Sequence, residues 1–368
     1  MNSAQRRELA EREGAEPAAQ SNIVAPCRSV AAILLFSWSG RWDRKRSKNS
    51  FRMKAEGDRQ AILMRLSKSD RRKLRSLLLG LAGLAVFFAA GCSLMLEPIE
   101  HRFLFRPWNA DSAQLASVAA LGNGIEEVRI KTPDGVTLHG WLKHPETARV
   151  GGRFPLVIVF GGVRRETSWM IDRADHPADW GWLFINYRGF GLSEGEPSER
   201  VILSDTRLIF DYAAARPDVD VTNIVVLGRS LGSYFTVALA NNRNLRGAIL
   251  ATPFDSFTAL GAERYPWLPV GFILNGRYDA ATLAPKIKIP ALFVLAERDE
   301  VTPVENGMAL AHAWGGPQRV VTLAGARHYG IERRDEFWNA IGDFLREVES
   351  SPQPLNGYVM DGASRPHN

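Results

Sequence analysis

The sequence predicts an α/β protein, with a mostly parallel central sheet, helices on both faces and an antiparallel hairpin at the start of the domain. Three observations carry this. Past Cys92, short apolar runs alternate with helical stretches along the chain. The 368 residues are 45% hydrophobic and 23% charged, enough to bury one large core and incompatible with a disordered or collagen-like chain. A glycine-flanked serine also stands directly after one of the apolar runs, where a strand turns sharply into a helix.

Taken in order, the hairpin is expected at Ile125–Lys131 and Val136–Leu142, turned by Pro133-Asp134-Gly135. Buried parallel strands are expected at Leu156–Phe160, Trp182–Asn186, Ile224–Leu227, Ala248–Leu250, Ala291–Leu295 and Val320–Leu323, because each is a continuous apolar run with little alternation. Helical stretches fill the intervals, Ser204–Ala215 and Tyr234–Ala240 among them. About 40 residues separate the strands ending near Ala251 and beginning at Ala291, too few for a large lid. They include Tyr265-Pro266-Trp267-Leu268-Pro269-Val270, which either lines an acyl pocket or packs on the sheet.

The amino-terminal part reads differently. Residues 41–75 hold 14 Lys/Arg against 4 Asp/Glu, leaving 32 against 36 for the rest of the chain. This basic run ends against 21 uncharged residues, 76–96, and the juxtaposition suits a membrane topology signal better than a nucleic-acid arm. The expected organisation is an unstructured extension over 1–63, a basic region plus signal peptide or anchor over 64–96, the α/β domain over 97–349 and a disordered tail over 350–368. Met64 or Met53 is the expected translation start. Two cysteines, Cys27 and Cys92, cannot build a disulfide framework or a cysteine-rich zinc module.

Within the domain, Gly228-Arg229-Ser230-Leu231-Gly232 fits G-x-S-x-G, a turn that lifts the serine hydroxyl above the sheet and aims the Leu231 amide at a developing oxyanion. Serine needs a base held by a carboxylate. Asp299 follows the run Ala291–Leu295 and His328 follows Val320–Leu323; Asp255 is a second possible acid. His101, His139, His144, His176, His312 and His367 do not follow a late parallel strand. Arg164, Arg165 and Arg229 either attract acidic groups at the site mouth or are solvated surface charge. HExxH, P-loop and dinucleotide fingerprints are absent, so neither a metal nor an organic cofactor is expected.

These residues resemble the α/β-hydrolase superfamily over 98–348, in particular its lid-poor branch of serine-aminopeptidase-like and acyl-protein-thioesterase-like domains. Asn186-Tyr187-Arg188-Gly189-Phe190-Gly191-Leu192-Ser193-Glu194-Gly195 is similar to the branch's YRGxGxSxG loop, and Phe103-Leu104-Phe105-Arg106-Pro107 and Pro253-Phe254-Asp255-Ser256 also match. The resemblance implies a Ser230-His328-Asp299 triad on a nucleophile elbow flanked by Gly228 and Gly232. The implied oxyanion donors are Leu231 and Val163, or Gly162 if the loop shifts by one residue. The sequence departs from the family in one place: Phe160-Gly161-Gly162-Val163 lacks the usual histidine of the oxyanion loop.

The expected activity is cleavage of carboxylic esters or thioesters, with an acylated or other small-molecule substrate. A peptidase or amidase on the same triad and a silent hydrolase-fold scaffold are the alternatives. Ala89-Ala90-Gly91-Cys92 resembles the lipobox of bacterial lipoproteins, with Ala89 where leucine is usual. Lipidation at Cys92, or an uncleaved single span, would then place the protein at the membrane in the cell envelope.

Overall fold

In the computed structural model, described residues run with short gaps from Ile125 to Pro352, preceded by Phe105, a few positions between Val118 and Gly124, and isolated helical positions between Ser69 and Leu84. The chain divides into two units, Met1–Gly80 and Leu81–Asn368. In the first, the described residues are helical and exposed, among them Leu77, Leu78 and Leu79. Among the described residues no helix is long and apolar enough to cross a membrane. Cys92 and the expected Cys27, Met53 and Met64 features lie outside the described residues.

The second unit is built on an eight-stranded sheet. Its strands are β1 (Ile125–Lys131), β2 (Thr137–Lys143), β3 (Phe154–Phe160), β4 (Gly181–Ile185), β5 (Val219–Arg229), β6 (Gly247–Ala251), β7 (Ala291–Ala296) and β8 (Gln318–Leu323). The order across the sheet is β1-β2-β4-β3-β5-β6-β7-β8. β1 pairs antiparallel with β2, and β2 antiparallel with β4; from β4 onward every pairing is parallel. The hairpin turn closes with the Thr132 amide on Val136 O at 2.8 Å and with Gly135 at φ 87°, a left-handed conformation that favours glycine.

All seven residues of β3 are buried, as expected of a strand covered on both faces. Alternation then splits the core in two. Leu156, Ile158, Phe160, Ile224, Val226, Phe293 and Leu295 point to one face, where they meet α1 (Glu199–Ala215), α2 (Leu231–Ala240) and α4 (Val304–Ala313). Val157, Val159, Val225, Leu227, Leu292 and Val294 point to the other, against α5 (Asp335–Ser350). Every residue of α2 is buried, which fits a helix apolar all round at the centre of a domain. α5 is amphipathic instead, burying Phe337, Ile341, Phe344, Leu345 and Val348 along one stripe.

Some boundaries differ from the sequence reading. α1 begins five residues earlier than expected, because Ser198 in extended conformation accepts the Val201 amide and caps the helix. β5 extends back to Val219 through Asp220, Thr222 and Asn223, polar residues that carry no apolar cue. α3 (Phe257–Arg264) buries no residue and so offers no stripe to read.

Candidate active site

Parallel strands place their carboxyl ends along one sheet edge, where α/β proteins hold their ligands. Ser230 follows β5, Asp299 lies three residues past β7, His328 five past β8 and Gly162 two past β3. The fold therefore gathers on one edge residues that lie more than 160 positions apart in the chain.

Ser230 sits at φ 53° and ψ −119°, one of three non-glycine residues with positive φ among those described. Such a conformation costs about 1–3 kcal/mol and persists only where the surroundings impose it. Here the Ser230 amide donates to Ala251 O at 2.9 Å, while the Ser233 amide donates to Ser230 O. The flanking glycines make the turn possible. A Cβ on Gly228 would overlap the Gly232 carbonyl, and one on Gly232 would overlap the Phe160 and Gly161 carbonyls. Leu231 opens α2, so its amide belongs to the first turn, whose donors have no acceptor within the helix.

His328 is 2% exposed and its Nε2 lies 3.1 Å from Ser230 Oγ. On the other side of the ring Nδ1 donates to Asp299, 2.9 Å from both carboxylate oxygens. That bond fixes the tautomer that leaves Nε2 free to accept from the serine. Asp299 also accepts the amides of Val301 at 2.9 Å and Thr302 at 2.7 Å, and the Thr302 hydroxyl at 3.0 Å. Burial pushes its carboxyl up, but the hydrogen bond and charge of His328 and the two amides outweigh burial and hold it below the ordinary carboxylate range.

The other acid and the other described histidines lie elsewhere, and His101 and His367 lie outside the described residues. Asp255 accepts the Ser256 amide at 2.8 Å and the Asn306 side-chain amide at 3.1 Å. His139 pairs with Glu127 and His144 with Glu126, both in the hairpin. His176 stacks among Trp182, Phe184 and Trp338, and His312 ends α4. Glu297, beside Asp299 in sequence, accepts the Gly325 amide at 2.6 Å and ties the acid loop to the histidine loop.

After β3, Gly162 is half-buried, and a Cβ there would lie 3.8 Å from Ser230 Cβ. Val163, Arg164 and Arg165 lie outside the described residues, as do Leu268, Pro269, Phe272 and Ile273. Of the apolar stretch after α3, Trp267 is 79% exposed and Val270 is buried against Gly261.

Sequence reasoning assigned no role to Asn186, which braces this loop. Its Oδ1 accepts the Thr167 amide at 2.7 Å and the Thr167 hydroxyl at 3.0 Å, and its Nδ2 donates to the buried Glu166. Tyr187 donates to Gly161 O at 2.9 Å. Arg188 lies buried between Asp205 and Asp134. Asn186 and Tyr187 thus brace the loop that follows β3. Arg229 is likewise not solvated surface charge, since its side chain is 11% exposed and donates to His328 O at 2.8 Å.

An α/β sheet of this order, carrying a strained serine, a histidine and a carboxylate in line at its carboxyl edge, defines the α/β-hydrolase fold. Comparison with solved structures agrees. The chain superposes on the α/β hydrolase GrgF from Penicillium sp. sh18 with a TM-score of 0.50 and 20% identity, covering 61% of this chain and 98% of that one. Acetyl xylan esterase 1 from Thermoanaerobacterium sp. JW/SL YS485 gives a TM-score of 0.50 at 18% identity, over 65% of this chain and 92% of that one. No family model matches the chain. Among curated proteins it is 29% identical over 274 residues to the uncharacterized protein Rv2307c of Mycobacterium tuberculosis, covering 73% of this chain and 95% of that protein. It is 27% identical over 199 residues to the alpha/beta hydrolase domain-containing protein WAV2 of Arabidopsis thaliana, over 48% and 63% of the two chains.

Proposed function

We propose that this protein is a serine hydrolase that cleaves carboxylic ester or thioester bonds through an acyl-enzyme. The observation that supports this reading best is the unbroken line from Ser230 Oγ to His328 Nε2 at 3.1 Å and from Nδ1 to Asp299 at 2.9 Å. In the proposed cycle His328 Nε2 takes the hydroxyl proton as Ser230 Oγ attacks the carbonyl carbon. Asp299 stabilises the imidazolium that forms. The amide of Leu231, with that of Gly162 or Val163, holds the oxyanion, and each such donor is worth about 10² to 10³ in rate. His328 then protonates the leaving alcohol or thiol, and a water deprotonated by the same nitrogen releases the acid.

Backbone donors do not need the histidine that the oxyanion loop lacks, so Gly161 in its place leaves the proposed hole intact. Turnover of p-nitrophenyl esters of graded chain length, beside acyl thioesters and aminoacyl anilides, tests the reading. Ester or thioester hydrolysis falling about 10⁵- to 10⁶-fold in Ser230→Ala is expected. Anilide cleavage alone would assign a peptidase, and inert, well-folded protein would assign a scaffold.

We also propose that residues 64–96 anchor the enzyme at the cell envelope through a lipid on Cys92. The support is the basic run followed by the apolar stretch and the lipobox-like Ala89–Cys92. Loss of palmitate incorporation and of membrane association in Cys92→Ser is the expected result. Membrane association without incorporation would mean a single span instead.

A further inference from the structure

We infer that Arg229, the variable residue of the G-x-S-x-G turn, is a positioning residue that clamps the histidine loop to the serine strand. The inference rests on the serine hydrolase reading above.

Arg229 ends β5, immediately before Ser230. Its Nη2 donates to the backbone carbonyl of His328 at 2.8 Å, across 99 positions of sequence. The Nε edge faces Glu332 Oε2 at 3.4 Å, in an ion pair whose side chains are only 11% and 6% exposed. The Glu332 backbone is held in turn, its carbonyl accepting the indole N–H of buried Trp338 at 2.8 Å. The guanidinium also stacks toward Tyr329, 5.9 Å from its ring centroid, and a Cβ on Gly162 would lie 3.5 Å from Nη1.

One planar cation thus links two segments that the proposed chemistry needs in register, the elbow through its own backbone and the histidine loop, and its Nη1 lies near Gly162. A salt bridge whose only task is stability gains little from burial, because desolvation offsets most of the Coulomb attraction. The guanidinium hydrogen-bonds the His328 carbonyl and faces Glu332 by charge, Nε and Oε2 having no hydrogen-bond partner, and its planar fork fixes the angle of the one bond where an ammonium would be a point charge. The carbonyl it holds belongs to the residue whose Nε2 must stay within hydrogen-bond reach of Ser230 Oγ. A misplacement of about 1 Å at such a distance costs roughly 10²-fold in rate.

The test uses the full-length chain. Second-order labelling by a fluorophosphonate and hydrolysis of p-nitrophenyl acetate are measured for wild type, Ser230→Ala, Arg229→Met, Arg229→Lys and Glu332→Gln, with thermal melting as the folding control. Expected are labelling and kcat slowed about 10- to 100-fold in Arg229→Met with KM changed by less than about threefold. Arg229→Lys should be intermediate, and millimolar guanidinium chloride should partly restore the Met variant, which a merely structural role would not allow. Wild-type labelling by folded Arg229→Met, or a loss confined to KM, overturns the inference. If the Met variant does not fold, wild-type kinetics in folded Arg229→Lys overturn it equally. Wild-type protein that never labels would instead remove the serine hydrolase reading itself.

Discussion

Replacing Asp299 by asparagine exchanges one oxygen for an NH₂ and tests how the site sets its proton positions. The carboxylate accepts four donors: His328 Nδ1, the amides of Val301 and Thr302, and the Thr302 hydroxyl. Oδ1 holds both amides, at 2.9 and 2.7 Å, so the asparagine oxygen takes that position and its NH₂ faces His328. A donor facing Nδ1 selects the tautomer protonated on Nε2, which cannot accept from Ser230. The expected loss is about 10⁴ in kcat, or roughly 5 kcal/mol of barrier. Stability should change far less, because only the bonds that used the carboxylate's charge are weakened, at about 1–3 kcal/mol. Stopped-flow hydrolysis of p-nitrophenyl acetate, paired with calorimetry, separates the two. A folded Asp299→Asn variant retaining more than a tenth of wild-type kcat would refute the tautomer argument.

Three further outcomes follow from the packing and charge of the domain. Gly232→Ala places a methyl group against the Phe160 and Gly161 carbonyls, so it should lower stability by about 1–3 kcal/mol and slow labelling of Ser230; an unchanged Tm would contradict it. Arg188→Met strands the buried Asp205 carboxylate, already pushed up by burial against the pull of Arg188, and should cost about 3–5 kcal/mol at neutral pH. That loss should shrink in acid, where Asp205 takes a proton, and a pH-independent loss would count against the pairing. Burial holds the His139 imidazole below its ordinary pKa, with Glu127 and Glu166 pulling the other way and Arg129 adding to burial. Its unfolded form therefore binds the extra proton first, so stability should be full above about pH 6.5 and fall as pH drops below it. His139→Gln should flatten that slope in denaturant titrations, and an unchanged slope would assign it to other groups.

The parallel part of the sheet was legible because its strands contain short, continuous apolar runs, and the hairpin because of its Pro133-Asp134-Gly135 turn. The gathering of Ser230, Asp299 and His328 was legible because each follows such a run within five residues, and parallel strands send those positions to one edge. Asp255 also follows a strand, but it bonds Ser256 and Asn306, whereas Asp299 lies 2.9 Å from His328 Nδ1. Bracing residues were not legible. Asn186 and Arg229 act through partners 19 and 99 positions away, and no local pattern encodes a hydrogen bond to a distant backbone atom. α3 escaped for the opposite reason, since a helix that packs only Phe257 and Leu260 partly against the core and fully buries no residue leaves little periodicity.

The central claim is that Ser230 is an activated nucleophile. The most direct measurement is mass spectrometry of the full-length chain after reaction with a fluorophosphonate and digestion with trypsin. A single adduct on the peptide Ser230–Arg243, absent in His328→Ala, is the predicted result. Folded protein without an adduct, or an adduct that persists in Ser230→Ala, would contradict it.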